Sequence, residues 1–323
     1  MRDAYHRKID YIRVSITDRC NLRCRYCMPQ DLPLIPHADI LQYEEILRLC
    51  AIFAGMGIRT VKVTGGDPLV RKGWLSLVQE LKKIPGIAQV TLTTNGVLLE
   101  PHVQALAALG LGGVNISLDS LQSETYRRLT GRDSFGAAWD SLHRAVDAGL
   151  RVKLNCVPIR GINENEILDI ARLAETLPID VRFIEHMPTA AGEGLEGVPC
   201  KEILRLLRGV YPDLQADQSP HGFGPARYFT SSRLRGGIGI IAAISQHFCG
   251  DCNRLRLTGE GFLKLCLYHE NGLDLRGMLR GSASDTEIEQ AIACIVQAKP
   301  ERHGFGGTDG TGGGIAEMSR IGG

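Results

Sequence analysis

No apolar run in the 323-residue sequence approaches the roughly 18 residues that a membrane-spanning helix needs, which excludes a helical membrane protein. An excess of charge is missing too. Lys and Arg number 37 against 36 Asp and Glu, a formal charge of +1, so the whole molecule offers no electrostatic case for binding nucleic acid or an acidic membrane. The opening residues, MRDAYHRKID, hold no hydrophobic stretch of the kind a secretory signal carries, and a cytoplasmic protein with reduced thiols is the expectation. No G-x-x-x-x-G-K-[ST] occurs, which excludes the nucleotide cradle of a P-loop hydrolase. Gly237, Gly239 and Ala242 fit G-x-G-x-x-A, but no strand–turn–helix unit surrounds them, so a dinucleotide site is not expected.

What is present is an ordinary globular composition, 44% hydrophobic and 23% charged, with length enough for a large core. Short β-rich runs at Tyr11–Ile16, Thr60–Val63, Gln89–Leu92, Gly113–Leu118, Lys153–Val157 and Asp180–Ile184 alternate with amphipathic stretches. Those stretches are Glu44–Met56, Trp74–Ile84, Val103–Leu109, Ala137–Ala148 and Ile167–Thr176. The alternation predicts parallel βα units, either an open doubly wound sheet or a partial or complete barrel. In both, ligands bind at the carboxyl ends of the strands. From about Gly222 the rhythm stops, which divides the chain into expected regions 1–221 and 222–323. The last twenty residues contain nine glycines and cannot build a core of their own.

The cysteines stand in two triplets. Cys20, Cys24 and Cys27 form C-x3-C-x2-C just after the first predicted strand, where three thiolates can converge on one soft metal centre. Structural zinc wants a fourth ligand, and no nearby His or Cys supplies it. A [4Fe–4S] cube held by three cysteines leaves one iron open to a small molecule, and the loop position favours that arrangement. Cys249, Cys252 and Cys266 form C-x2-C-x13-C; here zinc stays open as well, with His247 or His269 as a fourth ligand. Cys50, Cys156, Cys200 and Cys294 are expected to be plain buried cysteines.

The stretch YIRVSITDRCNLRCRYCMP resembles the signature of radical S-adenosylmethionine (SAM) enzymes. Together with KVTGGDPLVRKG, TTNG, NISLDS, RFIEHMP, GPARYF, FCGDCNRLRLTGEGFLKLCL and the terminal GG, it resembles the GTP 3′,8-cyclase family in particular, over essentially the whole chain. The resemblance implies an α/β fold, an incomplete (β/α)6 barrel whose open side is covered by a C-terminal region carrying a second [4Fe–4S] cluster. It implies that the first cluster binds SAM, that SAM is cleaved to a 5′-deoxyadenosyl radical, and that this radical abstracts hydrogen from the ribose C3′ of GTP before attack on C8. By the same resemblance Tyr26, Gly66, Ser117 and Met187 contact SAM. Asp67 departs from the family pattern, standing where Glu is usual. The implied partners are GTP and an electron donor, and a homodimer is left open.

Local charge supplies what net charge hides: from Arg2 to Arg25 there are seven Lys or Arg and three Asp. The resemblance places Arg13, Lys62 and Lys153 at the triphosphate, adds the hydroxyl of Thr93, and brings Gly322 and Gly323 with Arg13 into the active-site cavity. Arg254 and Arg256 are one residue apart, a spacing that puts both on one face of an extended segment, able to bond one polyanion. Two other classes compete: a radical SAM enzyme with an auxiliary cluster acting on a peptide, and a non-enzymatic zinc module.

Overall fold

The computed structural model describes residues 1–29, 31–246, 248–304 and 318–322. Gly323 and His247 therefore lie outside the described residues. Strands β1 (Tyr11–Ser15), β2 (Thr60–Thr64), β3 (Gln89–Thr94), β4 (Val114–Ser117), β5 (Val152–Cys156) and β6 (Asp180–Ile184) form close to where the β-branched runs predict them. Beyond them come β7 (Gln215–Asp217), β8 (Arg227–Thr230), β9 (Ile238–Ile241), β10 (Arg254–Leu257), β11 (Phe262–Lys264) and β12 (Gly272–Asp274). The helices are α1 (Tyr43–Gly55), α2 (Trp74–Lys83), α3 (Val103–Ala108), α4 (Ser123–Thr130), α5 (Phe135–Asp147), α6 (Ile167–Thr176), α7 (Cys200–Val210), α8 (Leu275–Arg280), α9 (Asp285–Val296) and α10 (Met318–Ile321). Helix α4 escapes the periodicity because only Tyr126, Leu129 and Thr130 are buried along it. Helix α7 buries Cys200, Ile203 and Leu207 on one face, a helical spacing that the sequence does display. Among the described residues no helix is long and apolar enough to cross a membrane.

The chain forms two compact units. The first comprises Met1–Asn21, Gln30–Thr93 and the chain from Cys249 onward; the second comprises Leu22–Pro29 and Thr94–Phe248. In the first, strand order is β12-β11-β10-β1-β2-β3, with β10, β1, β2 and β3 parallel and β11 and β12 added antiparallel. In the second the order is β4-β5-β6-β9-β8-β7, again parallel from β4 to β9 and antiparallel beyond. The change of sequence rhythm near Gly222 falls inside the second unit, because β9 pairs with β6.

Alternation along the strands sets the polarity of their faces. Ile12, Val14, Val61, Val63, Val90 and Leu92 are buried, and the residues between them on β1, β2 and β3 are Arg13, Lys62 and Thr91. One face thus feeds an apolar core, while the other carries charge. Cys50, Cys156 and Cys200 are buried as expected, but Cys294 is exposed on α9, whose core side is Ile288, Ile292 and Val296. No disulfide joins any of the ten cysteines.

One glycine shows how tightly the second unit closes. The N–H of Gly236 donates to Ala174 O at 3.1 Å, and a Cβ added there would run into the backbone carbonyl of Ile179. Gly236→Ala should therefore lower stability by about 1–3 kcal/mol, as overpacking does. Gly209→Ala, in open space on α7, should raise it by about 0.5–1 kcal/mol. Urea unfolding of the two variants checks the pair, and equal midpoints would contradict the packing account.

Candidate functional site

The register of the first unit builds the site. Arg13 pairs with Lys62 on β2 and with Arg256 on β10; Lys62 pairs with Thr91, and Arg256 with Lys264. Residues in register point to the same side of a sheet, so Thr91, Lys62, Arg13, Arg256 and Lys264 form one row across five strands. Period two adds Thr93 and Arg254 to the same face. Lys62 and Arg256 are buried, and Lys264 is 2% exposed. Like charges on neighbouring strands repel. Burial, with Arg13 and Arg254 beside it, holds the Arg256 guanidinium well below its ordinary range. Lys264 meets Glu270 at 2.8 Å. Such a row can donate charge-assisted hydrogen bonds to a polyanion.

Gly322 reaches this row. Its carbonyl accepts from Arg256 Nη1 at 2.7 Å, and its φ of +76° suits glycine. A Cβ there would meet Thr64 Cγ2 at 2.6 Å, at the end of β2. The turn after β2 is close-packed as well. The Gly66 N–H donates to Thr17 O at 2.7 Å and the Asp67 N–H to Arg19 O at 2.8 Å. A Cβ on Gly66 would strike the Arg19 carbonyl, so the glycine is required by backbone approach to the segment leading into Cys20. Asp67 accepts from the Leu69 N–H at 2.9 Å, capping the short turn Pro68–Val70.

The cysteines of the first unit sit at opposite ends of its parallel strands. Cys20 follows β1, whereas Cys249 and Cys252 precede β10, and Cys266 follows antiparallel β11 at that same starting edge. Burial raises the Cys252 thiol, but Arg254 and Lys299 outweigh it and bring the group down to about 7. Burial raises Cys249, with Cys252 and Cys266 beside it adding to the effect. A thiol held close to cations, as Cys252 is, forms thiolate readily, which is the donor chemistry a soft metal centre uses. Among the described residues no three His, Cys, Asp or Glu side chains stand together as a group that could hold a metal ion. His269 contacts Arg302 O at 3.2 Å.

Cys24 and Cys27 lie in the second unit with Tyr26. The Tyr26 hydroxyl donates to Asp119 Oδ2 at 2.6 Å, two residues past β4, and the Val157 N–H donates to Asp119 Oδ1 at 2.7 Å. Ser117 ends β4 and Met187 follows β6; both are half-buried. A second row crosses this unit: Ser117 pairs with Asn155, Asn155 with Arg182, and Arg182 with Gly239. Asn155 Oδ1 and Arg182 Nε are buried with no hydrogen-bond partner among the described residues. Sequence reasoning missed both, although each lies two residues from an ionisable group on its strand, Lys153 and Asp180, and so shares its face. Lys153 itself is engaged by Asp180 at 3.0 Å, Tyr228 at 2.8 Å and the His221 carbonyl, and burial brings it down to about 8.

Burial pushes Asp119 up to about 6, against the lowering effect of the Tyr26 and Val157 donors. The folded state thus binds a proton that the unfolded carboxyl, titrating at about 3.9, has released. Stability should therefore fall as pH rises from about 4 to 6 and then level. Tyr26→Phe should move this titration upward and cost on the order of 1–3 kcal/mol at neutral pH, while Asp119→Asn should flatten the slope. Urea midpoints of the apoprotein across pH 4–7 test this, and an unchanged slope in Asp119→Asn would remove Asp119 as its source.

Comparison with known proteins adds to this geometry. Residues 14–174 match the Radical SAM superfamily, and residues 179–305 match the family described as Molybdenum Cofactor Synthesis C. The chain is 47% identical over 307 residues to a GTP 3′,8-cyclase of Moorella thermoacetica, covering 94% of this chain and 95% of the relative. It is 46% identical over 314 residues to a GTP 3′,8-cyclase of Heliobacterium modesticaldum, covering 94% of each. Bos taurus molybdenum cofactor biosynthesis protein 1 is 39% identical, covering 94% of this chain and 48% of that one. Among solved structures, Streptococcus suis SuiB bound to S-adenosylmethionine matches with a TM-score of 0.62 at 14% identity, covering 91% of this chain and 72% of SuiB, a likeness of fold. The chain has a radical-SAM-type α/β fold and belongs to the GTP 3′,8-cyclase family of radical SAM enzymes.

Proposed function

We propose that this enzyme cyclises GTP to (8S)-3′,8-cyclo-7,8-dihydroguanosine 5′-triphosphate, the first step of molybdenum cofactor biosynthesis. The observation that carries the proposal is the row of Lys62, Arg13 and Arg256 on adjacent strands, because like charges side by side, two of them buried, call for an anionic ligand. The triphosphate of GTP is such an anion. Arg13, Lys62, Arg254 and Arg256 bind it from one face, with Thr93 adding a hydroxyl; Lys153 is a further proposed triphosphate ligand. Gly322 comes to the same place, and the Arg256–Gly322 bond supports a role for it there; Gly323 lies outside the described residues.

Cys20, Cys24 and Cys27 would hold one [4Fe–4S] cluster, and Cys249, Cys252 and Cys266 a second; the depressed thiol of Cys252 suits a thiolate ligand. When bound, SAM and the clusters supply electron transfer and radical chemistry, and the reductant comes from a separate electron donor. The chain orients the reactants and keeps water away. Tyr26, Gly66, Ser117 and Met187 bind SAM. The bond from Tyr26 to Asp119 fixes the ring, while Asn155 and Arg182 offer unmatched polar atoms beside Ser117. Ten cysteines with no disulfide suit a reducing cytoplasm.

Anaerobic turnover with dithionite, SAM and GTP is the direct test, with 5′-deoxyadenosine and cyclised nucleotide as the expected products. Cys24→Ala should abolish SAM cleavage, whereas Cys252→Ala should abolish cyclisation and spare some uncoupled cleavage. Equal loss of 5′-deoxyadenosine in both would refute the division of duties. Arg254→Ala and Arg256→Ala should each weaken GTP binding by about 10- to 150-fold, from a charge-assisted bond of roughly 1.5–3 kcal/mol. Calorimetry giving parental affinity in both would take the arginines out of the substrate site.

A further inference from the structure

Two buried cations outside the substrate row meet at Cys249, Cys252 and Cys266. Arg7, on the segment before β1, pairs through Nε with Asp3 Oδ2 at 2.6 Å. Its Nη1 donates to the carbonyls of Cys249 and Glu301, each at 2.8 Å, and its Nη2 to Pro300 O at 2.7 Å. Lys299 is 3% exposed; its Nζ donates to Arg254 O at 3.0 Å and to the carbonyl of Leu265. The bonded carbonyls belong to one cysteine itself, to the residue two past the second, and to the residue just before the third. The backbone is thus held at all three ligand positions by two side chains.

The charges of the two differ in their balance. Asp3 matches Arg7, but no carboxylate pairs with Lys299 among the described residues. An unmatched buried ammonium is costly. Cluster potential depends on net charge, hydrogen bonding and exposure, so a centre of thiolate-bound iron would both balance Lys299 and feel it.

We infer that Arg7 and Lys299 are positioning residues of the centre held by Cys249, Cys252 and Cys266. Both fix the ligand backbone, and Lys299 in addition raises the reduction potential. The inference rests on this triplet holding an iron–sulfur cluster. The test uses the full chain with Cys20, Cys24 and Cys27 replaced by Ala, reconstituted anaerobically with iron and sulfide so that only this centre is read. Loss of iron to a chelator and the midpoint potential, followed by electron paramagnetic resonance, are the two measurements.

Arg7→Met and Lys299→Met should hold iron against the chelator about 10- to 100-fold less tightly, the usual effect of removing the residues that support metal ligands. Lys299→Met should also lower the potential, and Lys299→Arg should restore it. Asp3→Asn, which uncovers the Arg7 charge, should shift the potential upward, and it keeps the charge argument testable if a Met variant does not fold. Arg71→Met is the control for general loosening. Its guanidinium bonds Ile16 O at 2.6 Å and Leu41 O at 2.7 Å in the same unit, so it should leave both measurements at the parental value. Parental iron retention in Arg7→Met and Lys299→Met, or a parental potential in Lys299→Met, overturns the inference, as does equal lability in Arg71→Met. A parent that takes up no iron overturns the cluster assignment itself, and this inference with it.

Discussion

Lys62, Arg13 and Arg256 stand beside one another on three parallel strands, an arrangement that electrostatics alone opposes. It persists because the opposite face of the same strands is wholly apolar, so the register that buries Ile12, Val14, Val61 and Val63 also lines up the cations. A slip of one residue would exchange the two faces. Register is therefore fixed by the core, and the ligand-facing row is carried along with it. Part of the repulsion is relieved within the chain, by the carbonyl of Gly322 on Arg256 and by Glu270 on Lys264.

The two units answer the same constraint in parallel. Each has four parallel strands extended by two antiparallel ones, and each sets a row of polar residues across its parallel strands. In the second unit the row is less charged, and its unmatched atoms are an amide oxygen and a guanidinium nitrogen. Glycine enters where the row needs room: a Cβ on Gly239 would lie 2.7 Å from Arg182 Cγ.

Much of this was legible in the residues. The first six strands stand out because Val, Ile and Thr cluster in them, and both cysteine triplets declare themselves by spacing. The joining of β1 to β10 was not legible, since nothing local in either strand names its partner. For the same reason Arg7 and Lys299 look like ordinary surface charges in the sequence, and their bonds to distant carbonyls appear only in the fold. Asn155 and Arg182 were within reach of the alternation rule, but asparagine and arginine carry no motif of their own. The resemblance places Gly66 at SAM, and the fold adds a second demand for glycine there, since a Cβ would strike the backbone at Arg19.

The pairing of β1 with β10 also governs the order of events at birth. The Asn253 side chain bonds Asp10, 243 residues earlier in the chain. At about 5–20 residues per second, β1 waits roughly 12 to 50 s on the ribosome before its neighbour exists. During that time its edge is open to mispairing, and contacts of such long sequence separation form late. The cation row, which straddles that late junction, and the second cysteine triplet, which flanks β10 and β11, come into being together, once those strands have been made.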